Sequence, residues 1–387
     1  MGRSFTICVL NCGSSSIKFS LFDFPDGSEF LKGQLDAIGL EHARLQFTLK
    51  GQKQELQVSA QDHHQALNLL FSKMQQEWKC HIDAIGHRVV HGGEHFKEST
   101  CINDAVIKIL EELTPLAPLH NPVNVLGIKL ALKTFKAPQV AVFDTAFHQS
   151  MPEESYLYPL PYAWYAQHQI RRYGFHGSSY HYVSQKAQNH LSLPKKHGLI
   201  IAHLGNGASI CAIKNGKSVM TSMGFTPLDG LMMGTRCGSI DPGLIPHLCK
   251  VLSVDLAPLQ NALNKDSGLK GISDYSFDMR SLEEKAETGH KPSILAISMF
   301  CQRVAQTIAA YRCHLESLDA LIFTGGIGEN SSLVRKQVCQ QLRFLGCQLD
   351  PTANATRSSE ARCITANDAL CPVWTIPTHE ETQIALE

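Results

Sequence analysis

The 387-residue sequence lacks an excess of either charge: Lys plus Arg and Asp plus Glu each number 35, so the formal net charge is zero. That speaks against a dedicated nucleic-acid binder, which would carry a basic excess or stripe. It also supplies no electrostatic pull toward an anionic membrane. No run reaches the ~18–20 uninterrupted apolar residues needed to cross a bilayer. The opening Met1-Gly2-Arg3-Ser4-Phe5-Thr6-Ile7-Cys8-Val9-Leu10-Asn11 is too short an apolar stretch for a secretory leader, so none is expected. No Cys-x-x-Cys pair occurs among the 13 cysteines, which are scattered and odd in number. A disulfide framework or a zinc ribbon is therefore not expected; free thiols in a reducing cytoplasm are. What the chain does have is apolar residue, 43% of the total, enough for a substantial core. Roughly 150 residues per domain gives two or three domains.

Two segments look alike. Thr6–Phe24 is an apolar run, then Asn-Cys-Gly-Ser-Ser-Ser, then a second apolar run ending at Pro25-Asp26-Gly27. Leu199–Ile213 is an apolar run, then His-Leu-Gly-Asn-Gly-Ala-Ser, then another run ending at Asn215-Gly216. Each reads as a β-hairpin with a polar, Gly-containing bend. Half a chain separates them, which hints at a duplicated domain. Helices are expected to fill the gaps. Ala60–Trp78 places Ala66, Leu69, Leu70 and Met74 on one face, and Ile294–Leu315 reads as a buried helix. Ala320–Thr324 reads as a strand, Gly325–Asn330 as a bend, and Ser331–Leu342 as a helix. This alternation predicts an α/β architecture. Thr114–Pro122, with three prolines, and the aromatic Tyr156–Tyr165 read as loops, the latter near a domain junction.

Several motifs are decoys. Gly216-Lys217-Ser218 resembles the end of a Walker A loop, but Cys211 stands where its first Gly belongs, so a hairpin turn is expected. Gly205-Asn-Gly207 and Gly326-Ile-Gly328 lack the third glycine of a dinucleotide fingerprint. His87 and His91 bracket strand-like Val89-Val90 rather than a helical zinc pair. Three Gly- or Ser-rich bends survive: Asn11–Ser16, His203–Ser209 and Gly325–Asn330. Small residues let backbone N–H groups approach phosphate oxygens closely, so three such bends suggest a nucleotide held between lobes. Arg88 and Arg236, flanked by Val-Val and Gly-Thr, suit bidentate anion binding better than surface solvation.

Longer strings carry a resemblance. They are Val9-Leu-Asn-Cys-Gly-Ser-Ser-Ser-Ile-Lys18, Gly86-His-Arg-Val-Val-His-Gly-Gly-Glu94, Leu116-Ala-Pro-Leu-His-Asn-Pro122 and Phe143-Asp-Thr-Ala-Phe-His148. Further along stand Arg172-Tyr-Gly-Phe-His-Gly177, His203-Leu-Gly-Asn-Gly-Ala-Ser209, Gly224–Arg236 and Phe323-Thr-Gly-Gly-Ile-Gly-Glu-Asn330. Over nearly its whole length the sequence resembles the acetate kinase family, among the short-chain acyl kinases of the acetate/sugar kinase–chaperone ATPase–actin superfamily. It departs from the usual family pattern at Tyr180, where His is common, at Cys237-Gly238-Ser239, where Ser-Gly-Asp is common, and at Thr378-His379-Glu380-Glu381, where Thr-Asn-Glu-Glu is common.

The resemblance implies two duplicated actin/ribonuclease-H-like α/β lobes with the active site in the cleft. Residues 1–149 would form the first lobe, joined by the returning tail 376–387, and residues 150–375 the nucleotide-binding second. The reaction implied is reversible transfer of the ATP γ-phosphoryl to acetate, with Mg2+ (or Mn2+) as metal. Arg88 would bind the acyl carboxylate, with Val90, Leu119, Phe175 and Pro227 around its methyl group. On a strand, Arg88 and Val90 would face the same side. Arg236 and His176 would stabilise the transferring phosphoryl, assisted by Asn206 and His120, and Asp144 would orient an Arg or a metal-bound water. Asn11 and Glu380 match metal positions. Lys18, His203, Leu204, Gly205, Asn206, Gly207, Asp278, Met279, Arg280, Gly325, Gly326, Ile327, Gly328 and Glu329 match nucleotide-contacting stretches. A cytoplasmic homodimer with no nucleic-acid or membrane partner is implied. The alternatives are a propionate or other short-chain acyl kinase and a non-catalytic nucleotide switch. The switch would have no reason to carry Arg88, His176 and Arg236 together.

Overall fold

The computed structural model describes residues 4–387; Met1, Gly2 and Arg3, part of the stretch weighed above as a leader, lie outside the described residues. The chain divides into two compact units, Met1–Phe147 with His379–Glu387, and His148–Thr378.

The first unit is built on eight strands: β1 (Phe5–Cys12), β2 (Ser16–Phe24), β3 (Ser28–Asp36), β4 (Ala43–Leu49), β5 (Gln52–Val58), β6 (Ala84–Val89), β7 (Thr100–Cys101) and β8 (Gln139–Phe143). They lie in the order β5-β4-β3-β2-β1-β6-β8-β7. Strands β1 to β5 form an antiparallel meander, whereas β1, β6 and β8 run parallel. The first hairpin is as the sequence predicts. Beyond it the sequence reading placed no strand, yet β3, β4 and β5 continue as a meander from Ser28 to Val58. Strand β4 shows why it holds, since Ala43, Leu45 and Phe47 alternate inward. Strand β5 is exposed along almost its whole length, as an edge strand rich in Gln, Lys and Glu should be.

Helices His63–Ser72 and Asn121–Thr134 pack on each other. Asp62 caps the former, accepting from the Gln65 N–H. Its π-helical continuation, Lys73–Glu77, still buries Met74. The C-terminal helix Glu380–Leu386 packs on β1, β2 and β6. Gly86 permits this: a Cβ there would stand 2.7 Å from Ile384 Cγ2.

The second unit repeats the plan with β9 (Gly198–Leu204), β10 (Ala208–Lys214), β11 (Lys217–Thr221), β12 (Ala320–Thr324), β13 (Arg362–Cys363) and β14 (Val373–Thr375). The order is β11-β10-β9-β12-β14-β13. Three hairpin-linked antiparallel strands again continue into parallel β9, β12 and β14. The series β3-β2-β1-β6-β8 and β11-β10-β9-β12-β14 are therefore one topology used twice, the duplicated actin/ribonuclease-H-like fold. Every residue of β9 is buried, as a central parallel strand requires. The Walker-like string is a hairpin turn: Asn215 and Gly216 take φ of 54° and 78° between β10 and β11.

Helix Lys291–Tyr311 buries Ala296, Ile297, Phe300, Cys301, Val304 and Ile308. With its continuation to His314 it is long and apolar enough to cross a bilayer by length and composition alone. Its packing against β9, β10 and three neighbouring helices makes it a core helix instead. Two loop expectations are corrected. Tyr156–Tyr165 contains the end of one short helix, Glu153–Tyr156, and the start of another, Tyr162–His168. Gly325–Asn330 is a short helix rather than a bend.

Candidate active site

In the first unit, parallel β1, β6 and β8 bring their C-terminal ends to one edge, where α/β sheets present ligand-binding groups. Asn11 lies near the end of β1, Arg88 near the end of β6, and Asp144 directly after β8. The Asp144 N–H donates to the Val89 carbonyl at 3.0 Å, extending the ladder by one residue. The fully buried Asp144 carboxylate takes the side of Arg88: Nε donates to Oδ1 at 2.8 Å and Nη2 to Oδ2 at 2.7 Å. Nη1 reaches Asn11 Oδ1 at 3.3 Å. Burial opposes the Arg88 charge, but Asp144, then Glu380 and Glu381, more than offset it and raise the pKa.

Glu380 opens the C-terminal helix. Burial raises its pKa; Arg88 counters this, while Asp144 and Glu381 add to the rise and Lys18 opposes it. Three carboxylates thus share two cations, a surplus of negative charge that a divalent ion would relieve. Among the described residues no cluster of three His, Cys, Asp or Glu side chains has metal-holding geometry. With Asp144 committed to Arg88, the Glu380 and Glu381 carboxylates and the Asn11 amide oxygen, which Arg88 Nη1 reaches at 3.3 Å, are the oxygen donors nearby. So small a set fits Mg2+, which keeps several waters. Lys18 is the cross-strand partner of Asn11 and lines a groove of about 850 Å³ with Lys32, Lys53, His379 and Glu381.

The chain beyond β6 is clamped from helix Asn121–Thr134. Asn124 Oδ1 accepts from the Val90 N–H at 3.1 Å and Asn121 Oδ1 from the His91 N–H at 3.2 Å. Sequence reasoning assigned these asparagines no role, although Asn121 stood inside a quoted string. Strand β6 ends at Val89, so strand alternation does not carry over to Val90. Leu119 is 68% exposed, and His120 is half-buried at the start of its helix.

In the second unit, His176 sits in the left-handed region (φ 61°) before helix Gly177–Leu191. Its Nδ1 lies 2.8 Å from Ser209 Oγ, and its ring stacks on His203 with centroids 4.3 Å apart. Phe175 is buried, and its carbonyl accepts from His148 Nε2 at 3.0 Å. Arg236 Nη1 donates to the Pro227 carbonyl at 2.8 Å. No carboxylate pairs with Arg236 among the described residues, and burial lowers its pKa. The β9–β10 turn brings these groups together. A Cβ placed on Gly207 would stand 3.4 Å from Arg236 Nη2 and 3.5 Å from His176 Nε2. Asn206 needs Gly234 beside it, since a Cβ there would fall 1.8 Å from Asn206 Oδ1.

A cavity of about 400 Å³ is lined by Gly205, Asn206, Asp278, Met279, Arg280, Gly326 and Ile327. It therefore collects seven residues of the expected nucleotide set from three distant stretches of chain. Glu283, Asn330, Ser331 and Arg357 also line it and were missed; no motif flags Glu283 or Arg357. Leu204, Gly325 and Gly328 lie buried behind, where Gly325 must be glycine: its φ is +76° and a Cβ would meet the Leu204 carbonyl at 2.8 Å. The Glu329 carboxylate is engaged by the Gly325 and Thr378 N–H groups at 2.9 and 3.1 Å.

The sequence model described as the Acetokinase family matches residues 6–386. The chain belongs to this family. The acetate kinase of Shewanella sp. (strain W3-18-1) is 48% identical over 385 residues, covering 98% of this chain and 96% of that protein. The crystal structure of Porphyromonas gingivalis acetate kinase superposes with a TM-score of 0.92 at 41% identity, covering 99% of this chain and 98% of that one. A propionate kinase from Francisella tularensis gives 0.93 at 41% identity, covering 98% of each chain. Two side chains singled out in the sequence, Tyr180 and Ser239, are hydrogen-bonded. The Tyr180 hydroxyl lies 2.5 Å from Ser209 Oγ, and Ser239 Oγ donates to Asp229 Oδ1 at 2.5 Å.

Proposed function

We propose that this chain transfers the γ-phosphoryl group of ATP reversibly to acetate, giving acetyl phosphate and ADP. The observation that carries the reading is Arg236, a half-buried guanidinium without a carboxylate partner among the described residues, bordering with His176 Nε2 the space over Gly207. Such a donor pair suits charge spreading over the oxygens of a transferring phosphoryl. The nucleophile is an acetate carboxylate, already ionised near neutrality, so no general base is required. Positioning and charge compensation then account for catalysis.

Arg88, with two of its N–H groups committed to Asp144, holds the acyl carboxylate through the remainder. Asp144 is thus an orienting group and not a base. The apolar contacts of the methyl group are assigned to Val90, Leu119, Phe175 and Pro227. His120 and Asn206 donate to the phosphoryl group, Lys18 meets the nucleotide phosphates, and the Gly205–Arg280–Ile327 cavity takes the nucleotide. Bound by Asn11 and Glu380, a Mg2+ or Mn2+ ion supplies charge neutralisation on phosphate oxygens.

The free thiols of all 13 cysteines agree with a cytoplasmic setting. Helix Leu244–Leu252 buries none of its residues, and Val251 and Leu252 are exposed with Leu256 nearby. An apolar surface of this kind is what a second copy would cover in a homodimer.

The test is ADP release, coupled to a reporter enzyme, with acetate, propionate, butyrate and glycerol. Acetate should lead, propionate follow and butyrate lag, because a methylene in an apolar pocket shifts kcat/KM by roughly 10–200-fold. A preference for propionate would move the assignment to that acid. Activity on glycerol alone would overturn the reading, because a hydroxyl acceptor needs a base.

A further inference from the structure

Two stacked imidazoles in the second unit are each backed by a pair of hydroxyls. Behind His203, the Thr378 hydroxyl donates to Ser179 Oγ at 2.8 Å, and Ser179 Oγ lies 2.8 Å from His203 Nδ1. Ser179 accepts from Thr378 and has its own proton to give; directed at Nδ1, that proton leaves the His203 proton on Nε2. Behind His176, the Tyr180 hydroxyl lies 2.5 Å from Ser209 Oγ, and Ser209 Oγ lies 2.8 Å from His176 Nδ1. A phenol is a stronger acid than an aliphatic alcohol, so the hydrogen bonds run from Tyr180 to Ser209 to Nδ1. Tyr180 is fully buried and edge-on to the His148 ring, so its hydroxyl is held in one direction.

We infer that Tyr180 is a positioning residue: through Ser209 it fixes the His176 tautomer with Nε2 protonated. This rests on the reading of His176 as a hydrogen-bond donor to the transferring phosphoryl and goes beyond it, because a buried residue behind the imidazole becomes part of the machinery. His176 Nε2–H then faces the space over Gly207 as a donor beside Arg236 Nη2. The other tautomer would present a lone pair to an anion at the same place. Fixing an imidazole's tautomer from behind is how an outer partner serves catalysis without touching substrate.

The experiment combines kinetics with 15N spectra of histidine-labelled, full-length protein. Tyr180→Phe keeps the ring and removes the donor. The His176 signals should move from a pure Nε2–H pattern toward a mixture of tautomers. The kcat should fall about tenfold, the scale for losing an outer orienting partner, while KM for acetate and for ATP stays within about twofold. Ser209→Ala should reproduce both changes. The double variant should lose no more than either single, since both cut one chain of hydrogen bonds. An unchanged tautomer with unchanged kcat in Tyr180→Phe, or additive losses in the double variant, would overturn the inference. A wild type inactive on acetate whose His176 tautomer still responds to Tyr180→Phe would sink the proposed reaction and leave the relay standing.

Discussion

Acidification should loosen the first unit, because burial holds two of its histidines neutral. His87 and His91 belong to the first unit and His148 to the second. His87 donates Nε2–H to Gln139 Oε1 at 2.7 Å, and His91 Nδ1 accepts from the Gly93 N–H at 3.0 Å. Burial lowers each of the three from 6.5 to about 4. The unfolded chain therefore binds protons first, and stability falls as pH drops from about 6.5 toward 4. Between about pH 7 and pH 5 each of these rings loses about 2 kcal/mol of stabilisation, so His87 and His91 together give about 4 kcal/mol in the first unit. Glu380 and Glu283, whose pKa values burial raises, push the other way, one in each unit. The half-buried His314 of the second unit shifts downward too, through burial, and adds to that unit's loss. Trp78 reports on the first unit and Trp374 on the second once the other tryptophans are replaced by Phe. Urea midpoints at the two pH values supply the measurement. His87→Gln should remove about half of the first unit's pH sensitivity. First-unit midpoints that do not move would refute the argument.

Three further outcomes concern the site. Gly234→Ala puts a methyl group 1.8 Å from Asn206 Oδ1; kcat should drop about 10²-fold, since an ångström of misplacement costs that much, while circular dichroism stays native. Arg236→Ala should lower kcat roughly 10²–10³-fold, and Lys should restore only part of it, lacking the planar fork; a loss within about threefold would remove Arg236 from the chemistry. Glu380→Ala should raise the Mg2+ concentration for half-maximal rate, and in the parent enzyme that requirement should grow as pH falls, because protonation of a carboxyl with a raised pKa removes a ligand. Equal metal titrations of the two proteins would point to Glu381 or to no carboxylate.

Local rules made the hairpins legible. Asn-Gly at 215–216 and the apolar runs on either side of 11–16 and 205–207 fix strand, turn and strand without help from the rest of the chain. The repeated topology then followed from seeing two such hairpins half a chain apart. Reading failed where distant groups decide. Glycine-rich Gly325–Asn330 looks like a bend until the Glu329 carboxylate accepts from the Gly325 and Thr378 N–H groups, the latter from a segment far along the chain. The Ser28–Val58 meander was missed because its outer strand is polar on nearly every residue and shows no inward face. In the site, Arg88, His176 and Arg236 stood out through their company in motifs. Ser209, Asn124 and Gly234 did not, because their importance lies in what they touch rather than in their own chemistry.

The two site arginines are prepared in opposite ways, and the contrast supports the division of labour proposed for them. Arg88 is neutralised in advance: Asp144 takes its Nε and Nη2 edge, and its pKa is raised. Such a guanidinium offers aim more than field, which suits a small carboxylate that must be oriented without being held too tightly to react. Arg236 is desolvated without a carboxylate, and its pKa is lowered. Its charge is costly until an anion arrives, so the gain grows with the negative charge presented to it. An ion pair already satisfied would stabilise ground state and transition state alike, which lowers KM without raising kcat. An uncompensated cation favours whichever species concentrates charge over Gly207, and in phosphoryl transfer that species is the one in flight. Placing a carboxylate beside Arg236, as Asp144 stands beside Arg88, would therefore stabilise the resting protein and slow the enzyme.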